Sequence, residues 1–174
     1  MNEIIKKNGV SYGIGLAVLS ILTTTVVYAL SLYSAWWINI SMMLLYVVVF
    51  IVLLIKTKKE MNGLITFKEA FTTYFIAMVI MLVVSTLFNI VLYNFVDPGA
   101  TEVMKEEIIR STVSFMESMN TPAEAINKTV EDLQKQDNFS IVAQLKGLAI
   151  AICVGSIFGL ILALIFKSRP AHAE

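Results

Sequence analysis

Charge is missing from most of this chain. No Asp, Glu, Lys or Arg occurs from Asn8 to Ile55, from Ala70 to Val96, or from Gly147 to Phe166, runs of 48, 27 and 20 residues. A bilayer core is about 30 Å thick, so roughly 20 apolar residues in a helix cross it. The empty runs therefore predict membrane spans. They also exclude chemistry. With no ionisable side chain inside them, the chain lacks the groups of a proton relay, a buried counter-ion or a transporter carboxylate.

Other residues are scarce too. The one cysteine, Cys153, cannot form an internal disulfide. Its neighbours Ile152 and Val154 argue for small-residue packing over a reactive thiol. The one histidine, His172, lies in the C-terminal tail. There is no His-Glu-x-x-His, no Gly-x-Ser-x-Gly and no Cys/His metal spacing. The expectation is that the protein is not an enzyme and carries no cofactor, catalytic site or metal site. Thirteen basic residues balance thirteen acidic ones, so no nucleic-acid partner is expected.

The apolar material divides into four helices. The first run is too long for one span and splits at Ser31–Trp37, where Tyr33, Trp36 and Trp37 mark a membrane interface. Spans are predicted at about 10–32, 36–55, 70–96 and 146–166, all within a single integral membrane domain covering residues 1–174. Lys6 and Lys7 precede the first span and Val27-Tyr28-Ala29 offers a cleavage site. The length of the run favours an uncleaved signal anchor. Residues 56–69 form a basic loop ending in Thr66-Phe-Lys-Glu69, a capping-box pattern.

The one hydrophilic stretch, residues 97–140, reads as a helical hairpin over about 98–136. Asp97-Pro98 and Thr121-Pro-Ala-Glu124 each pair an N-cap with proline at the first helical position. Met104, Ile108, Val113 and Met116 or Met119 make one apolar stripe, and Ile126, Val130 and Leu133 another. A copper-thioether site on the methionines is less economical than such a stripe. The carboxylates Glu106–Glu107 and Glu131–Asp132 read as solvated helix faces, and the Asn39, Asn127 and Asn138 glycosylation patterns as chance.

Orientation follows the basic residues. The side holding the termini and the 56–69 loop has eight Lys or Arg and four acids; the opposite side, through Lys146, has five and nine. Both termini are predicted to be cytoplasmic, with an acidic hairpin outside. The fold class is thus all-α: a four-transmembrane-helix bundle with an extracytoplasmic helical hairpin between helices three and four.

Two patterns lie within the spans. Gly147, Ala151, Gly155, Gly159 and Ala163 recur every fourth residue, and Gly9, Gly13 and Ala17 form a shorter series continued by Ser20 and Thr24. Small side chains on one face let helices approach closely. Packing within the chain is the plainer reading, and homo-oligomerisation through the fourth span the alternative. Asn89 and Ser85, like Thr23–Thr25, are expected to make interhelical or local backbone hydrogen bonds, with Asn89 the first candidate for a buried polar contact.

In order along the chain, Lys56-Thr-Lys-Lys-Glu60, Gly63-Leu-Ile-Thr-Phe-Lys-Glu-Ala-Phe-Thr-Thr-Tyr-Phe75, Tyr93-Asn-Phe-Val-Asp-Pro98 and Asp137-Asn-Phe-Ser…Gln144-Leu-Lys-Gly147 stand out. Together they resemble the bacterial membrane proteins of domain-of-unknown-function family 4199, from Lys6 to Lys167. The resemblance implies a four-helix inner-membrane protein and no reaction, ligand or site. Bottom-up, Phe67 and Phe71 suit an interfacial anchor and Lys68 suits anionic lipid. The expected function is a non-enzymatic structural or interaction protein. Its expected partners are the lipid bilayer, a second copy through helix four, or an envelope protein at 97–140. The alternative is a channel or transporter subunit acting as an oligomer.

Overall fold

A computed structural model describes residues 2–168; Arg169, His172 and Glu174 lie outside them. The described residues form six α-helices and no strand. These are α1 (Glu3–Ala29), α2 (Trp36–Glu60), α3 (Phe67–Val91), α4 (Ala100–Ser118), α5 (Ala123–Lys135) and α6 (Ile141–Phe166). α3 runs on into a π-helical turn, Leu92–Val96. Four of these helices, α1, α2, α3 with its π turn, and α6, are long and apolar enough to cross a membrane.

Local chemistry sets the ends. Asn2 caps α1 by accepting from Ile4 N at 2.9 Å, so α1 starts well before residue 10 and carries Lys6 and Lys7 within it. Three helices stop in the same way. Ser31, Asn62 and Asn120 adopt left-handed φ of 51°, 56° and 55°. The next amide then closes on a carbonyl five residues back: Leu32 on Val27, Gly63 on Lys58 and Thr121 on Met116. This is the Schellman stop, and it ends α1 at Ala29 rather than at 32. α2 passes the expected Ile55 and reaches Glu60. Thr66 and Glu69 form the full capping box that opens α3.

Two other expected caps differ. Asp97 Oδ1 accepts from Ala100 N at 3.1 Å, yet α4 begins only at Ala100, because Pro98 and Gly99 are taken up in a turn. Thr121 makes no cap; Pro122 precedes α5 with no side-chain hydrogen bond there. α6 starts at Ile141, five residues earlier than expected, because Ser140 Oγ accepts from Ala143 N.

α3 is the central element. α1 and α6 pack along it, and α2 closes over the three at one end. That end carries the N-terminus, the 61–66 loop and Ser168. Leu16, Phe50, Leu53, Leu54, Ala77 and Met78 are buried there. Polar ties close it further. Asn8, 2% exposed, donates to Thr57 Oγ1 at 3.2 Å and Glu60 Oε2 at 2.8 Å. Lys58 Nζ donates to Phe166 O at the last turn of α6, and Ser168 exchanges backbone and side-chain bonds with Ile65 and Gly63. The opposite end is loosely packed: α1 has no buried residue after Ala17 and α2 none before Phe50.

α4 and α5 lie beyond that loose end, side by side. Lys105 Nζ donates to Gln134 O between them. Met104, Ile109, Val113 and Met116 of α4 are half-buried, as are Ile126, Val130 and Leu133 of α5. Ile108 and Met119, expected in the α4 stripe, are instead 39% and 63% exposed. Cys153 is also exposed on α6, where packing was expected.

Candidate functional site

An uncharged cleft of mixed polar and apolar lining opens at the loose end of the bundle. Its deeper part, a cavity of about 350 Å³, reaches from Ser20, Thr23 and Asn39 down to Phe50, Tyr74 and Phe158. Its upper part, about 310 Å³, shares Thr23, Thr24 and Asn39 and continues to Asn89, Tyr93, Asn138 and Gln144. Met104 of α4 and Phe139 also line this upper part. No charged side chain lines either part.

An aromatic floor separates the cleft from the closed end. Phe50 and Tyr74 have ring centroids 4.6 Å apart, and Phe158 lies 6.5 Å from Tyr74. The Tyr74 hydroxyl donates to Gly155 O at 3.0 Å, which fixes the ring. Burial and that bond hold Tyr74 in place against α6.

The upper rim is built from two turns locked together. Asn94, inside the π turn, donates to Phe139 O at 3.0 Å, and Gln144 Nε2 donates to the same oxygen at 2.7 Å. Tyr93 meets Phe139 edge-on at 5.9 Å. π turns widen a helix by one residue per turn and often occur at functional sites. Here the turn swings Tyr93 and Asn94 toward the start of α6. On the far side of the rim, the Tyr28 hydroxyl donates to Asp97 Oδ2 at 2.7 Å and so ties α1 to the base of α4. Near it, burial and, to a lesser degree, Asp97 push the Tyr33 hydroxyl above the usual tyrosine range. Asp137 is held below the usual carboxylate range, first by the Ser140 side chain and then by the Ser140 backbone N–H.

The two intramembrane polar residues singled out by sequence lie one turn apart on α3. Neither makes the expected contact: Ser85 Oγ and Asn89 Oδ1 are buried without a hydrogen-bond partner. Asn89 also lines the cleft. Thr23 and Thr25 do bond locally, to Leu19 O and Ile21 O, and Thr23 also reaches Met42 Sδ at 3.6 Å.

The small-residue series meet different fates. A Cβ at Gly9 would sit 3.0 Å from Ile76 Cβ; at Gly13 it would sit 2.9 Å from Ile80 Cβ and 3.0 Å from Ala77 Cα. Ala17 is buried beside them. On α6, Gly155 faces Met78 Sδ, Gly159 faces the Tyr74 ring, and Ala163 is fully buried. Ala151 is half-buried, and Gly147 has nothing within 4 Å. The series therefore meets its neighbours closely over its last three members only, because a row of residues four apart drifts roughly 40° around the helix at each step and carries Gly147 off the packed face. Sequence reasoning passed over Asn8, Thr57, Tyr74, Asn94 and Ser168. Asn8, Thr57 and Asn94 carried a signal, as polar residues placed at or near the ends of apolar runs.

Among the described residues no group of three or more His, Cys, Asp or Glu could hold a metal ion. Fold and cleft together define the class: an α-helical membrane protein of four spans. The family model described as a protein of unknown function, DUF4199, matches residues 11–168, and the chain belongs to that family. Searches of curated proteins and of solved structures found no match.

Proposed function

We propose that this is a non-enzymatic binding protein of the bacterial inner membrane, which receives a ligand or partner from the outer side through the cleft beneath α4 and α5. Both termini and the basic 56–69 loop then lie in the cytoplasm, and the acidic α4–α5 pair lies outside. The observation that carries the reading is the uneven burial of the bundle. One end is tied shut by Asn8, Thr57, Lys58 and Ser168, while the other opens into a cleft lined by no charged side chain. A purely structural span has no reason to leave its outer half unpacked around Asn89.

The test is labelling by a membrane-impermeant maleimide in intact spheroplasts, on a Cys153→Ala background. Thr24→Cys and Asn138→Cys should label from outside, and Leu16→Cys should not. An unlabelled Thr24→Cys, or labelling of Leu16→Cys, would sink the reading.

The polar wall of Thr23, Asn39 and Asn89 also suits a channel subunit. The floor of Phe50, Tyr74 and Leu53 closes that route within one chain, so a conducting path would have to run between copies. Solute flux in liposomes should be absent for the single chain.

A further inference from the structure

We propose that the cleft binds an uncharged, hydroxyl-rich group, a sugar or polyol, with Asn89 as its deepest contact. The inference rests on the binding reading above and specifies the ligand. Its basis is a lining free of charge that carries four carboxamides, with Asn89 the one set on the membrane-spanning α3. Carboxamides that line a cleft take hydrogen-bond partners there, from water or from a ligand. A charged ligand is a poor candidate, because it would lose hydration with no counter-charge to meet it.

A hydroxyl fits better, since it both donates and accepts. It can pair with whichever atom of the Asn89 amide faces the cleft. The carboxamides of Asn39, Asn138 and Gln144 surround the same space, with Thr24 beside them. Amides offer donors and acceptors together, as a run of hydroxyls requires. Tyr93 and Phe139 supply an aromatic wall for the C–H face of a ring. At about 310 Å³, the upper part alone lies within the roughly 300–1,000 Å³ of small-molecule sites.

Such a group could be a lipid headgroup or a free solute, and the test separates the two. Full-length protein in nanodiscs is offered monoglucosyl diacylglycerol, diacylglycerol with the same chains, or phosphatidylglycerol. Retention is read by native mass spectrometry, with methyl glucoside added as a soluble competitor. The glucosyl lipid should be retained in preference to both others. Retention that methyl glucoside does not displace assigns a lipid headgroup. Displacement, with a thermal shift from methyl glucoside alone, assigns a free polyol.

Asn89→Leu should reduce retention about tenfold, the equivalent of one hydrogen bond to a buried group. Asn39→Ala, at an exposed position that does not hold the fold, should reduce it several-fold. Equal retention of all three lipids with no shift from methyl glucoside overturns the proposal. So does preference for phosphatidylglycerol, or wild-type retention by both variants. If Thr24→Cys labels from outside and the glucosyl lipid is still not preferred, the ligand class alone has failed. If Thr24→Cys does not label, the binding reading has failed first.

Discussion

Asn8 lies between α1 and α2 with its amide divided between Thr57 and Glu60. Removing it leaves both acceptors short of a donor at a site 2% exposed. Asn8→Ala should therefore cost about 1–3 kcal/mol, read as a lower thermal midpoint in detergent. A variant that melted with the wild type would show that the tie contributes nothing. The glycines form a graded series for the same reason of local contact. Gly13→Ala drives a Cβ against the Ala77 backbone, which cannot swing aside, and should cost about 1–3 kcal/mol. Gly155→Ala meets the end of a flexible methionine and should cost less. Gly147→Ala meets nothing and should be neutral or stabilising by up to about 1 kcal/mol through helix propensity. Any other order would mean that α6 and α1 do not pack on α3 in this way. Equal spacing in sequence hid these differences, because the i, i+4 pattern does not say what lies opposite each residue.

The helix ends show how much of each element is local. The Thr66–Glu69 box is a four-residue pattern whose partners are its own neighbours, so it was legible in the sequence. Thr66→Ala should cost about 1 kcal/mol in stability. Thr121-Pro-Ala-Glu124 has the same spacing and forms no capping box: the Asn120 stop that ends α4 commits the Thr121 amide to Met116 O, out of reach of Glu124, and α5 starts after Pro122. One local motif overrides the next. The apolar stripe of α4 is likewise displaced by one residue, from Ile108 to Ile109, since α5 sets which face is covered.

The turn into α6 has a pH dependence with a definite sign. Asp137 has its carboxyl lowered by Ser140, so its contribution is present above the usual carboxylate range. It is lost as pH falls through the lowered folded value. The protection of the Phe139 and Ser140 amides, relative to intrinsic exchange at each pH, should hold at neutral pH and fall only in acid below that range. Asp137→Asn should remove the dependence; an unchanged acid profile would show that another group controls the turn.

At the scale of the whole molecule the bundle is closed at one end and open at the other. Hydrogen exchange in nanodiscs should follow this division, slowest around Leu53, Leu54 and Ala77 and faster for the upper turns of α1 and α2. Uniform protection along α2 would contradict it. By itself the sequence determined that four helices are apolar enough to cross a bilayer, that they carry no intramembrane charge, and that a hydrophilic helical segment stands between the third and fourth. Those properties come from composition and from contacts within a few residues, which a linear reading captures. Only the tertiary structure decided which small residues of α6 are packed, that Tyr74 and Phe50 floor a cavity, and that Asn89 lines the cleft with its Oδ1 buried. These depend on residues far apart in the chain meeting, or failing to meet, in space. The uncharged runs define a membrane protein; the gap between them, at one end of the bundle, defines its candidate site.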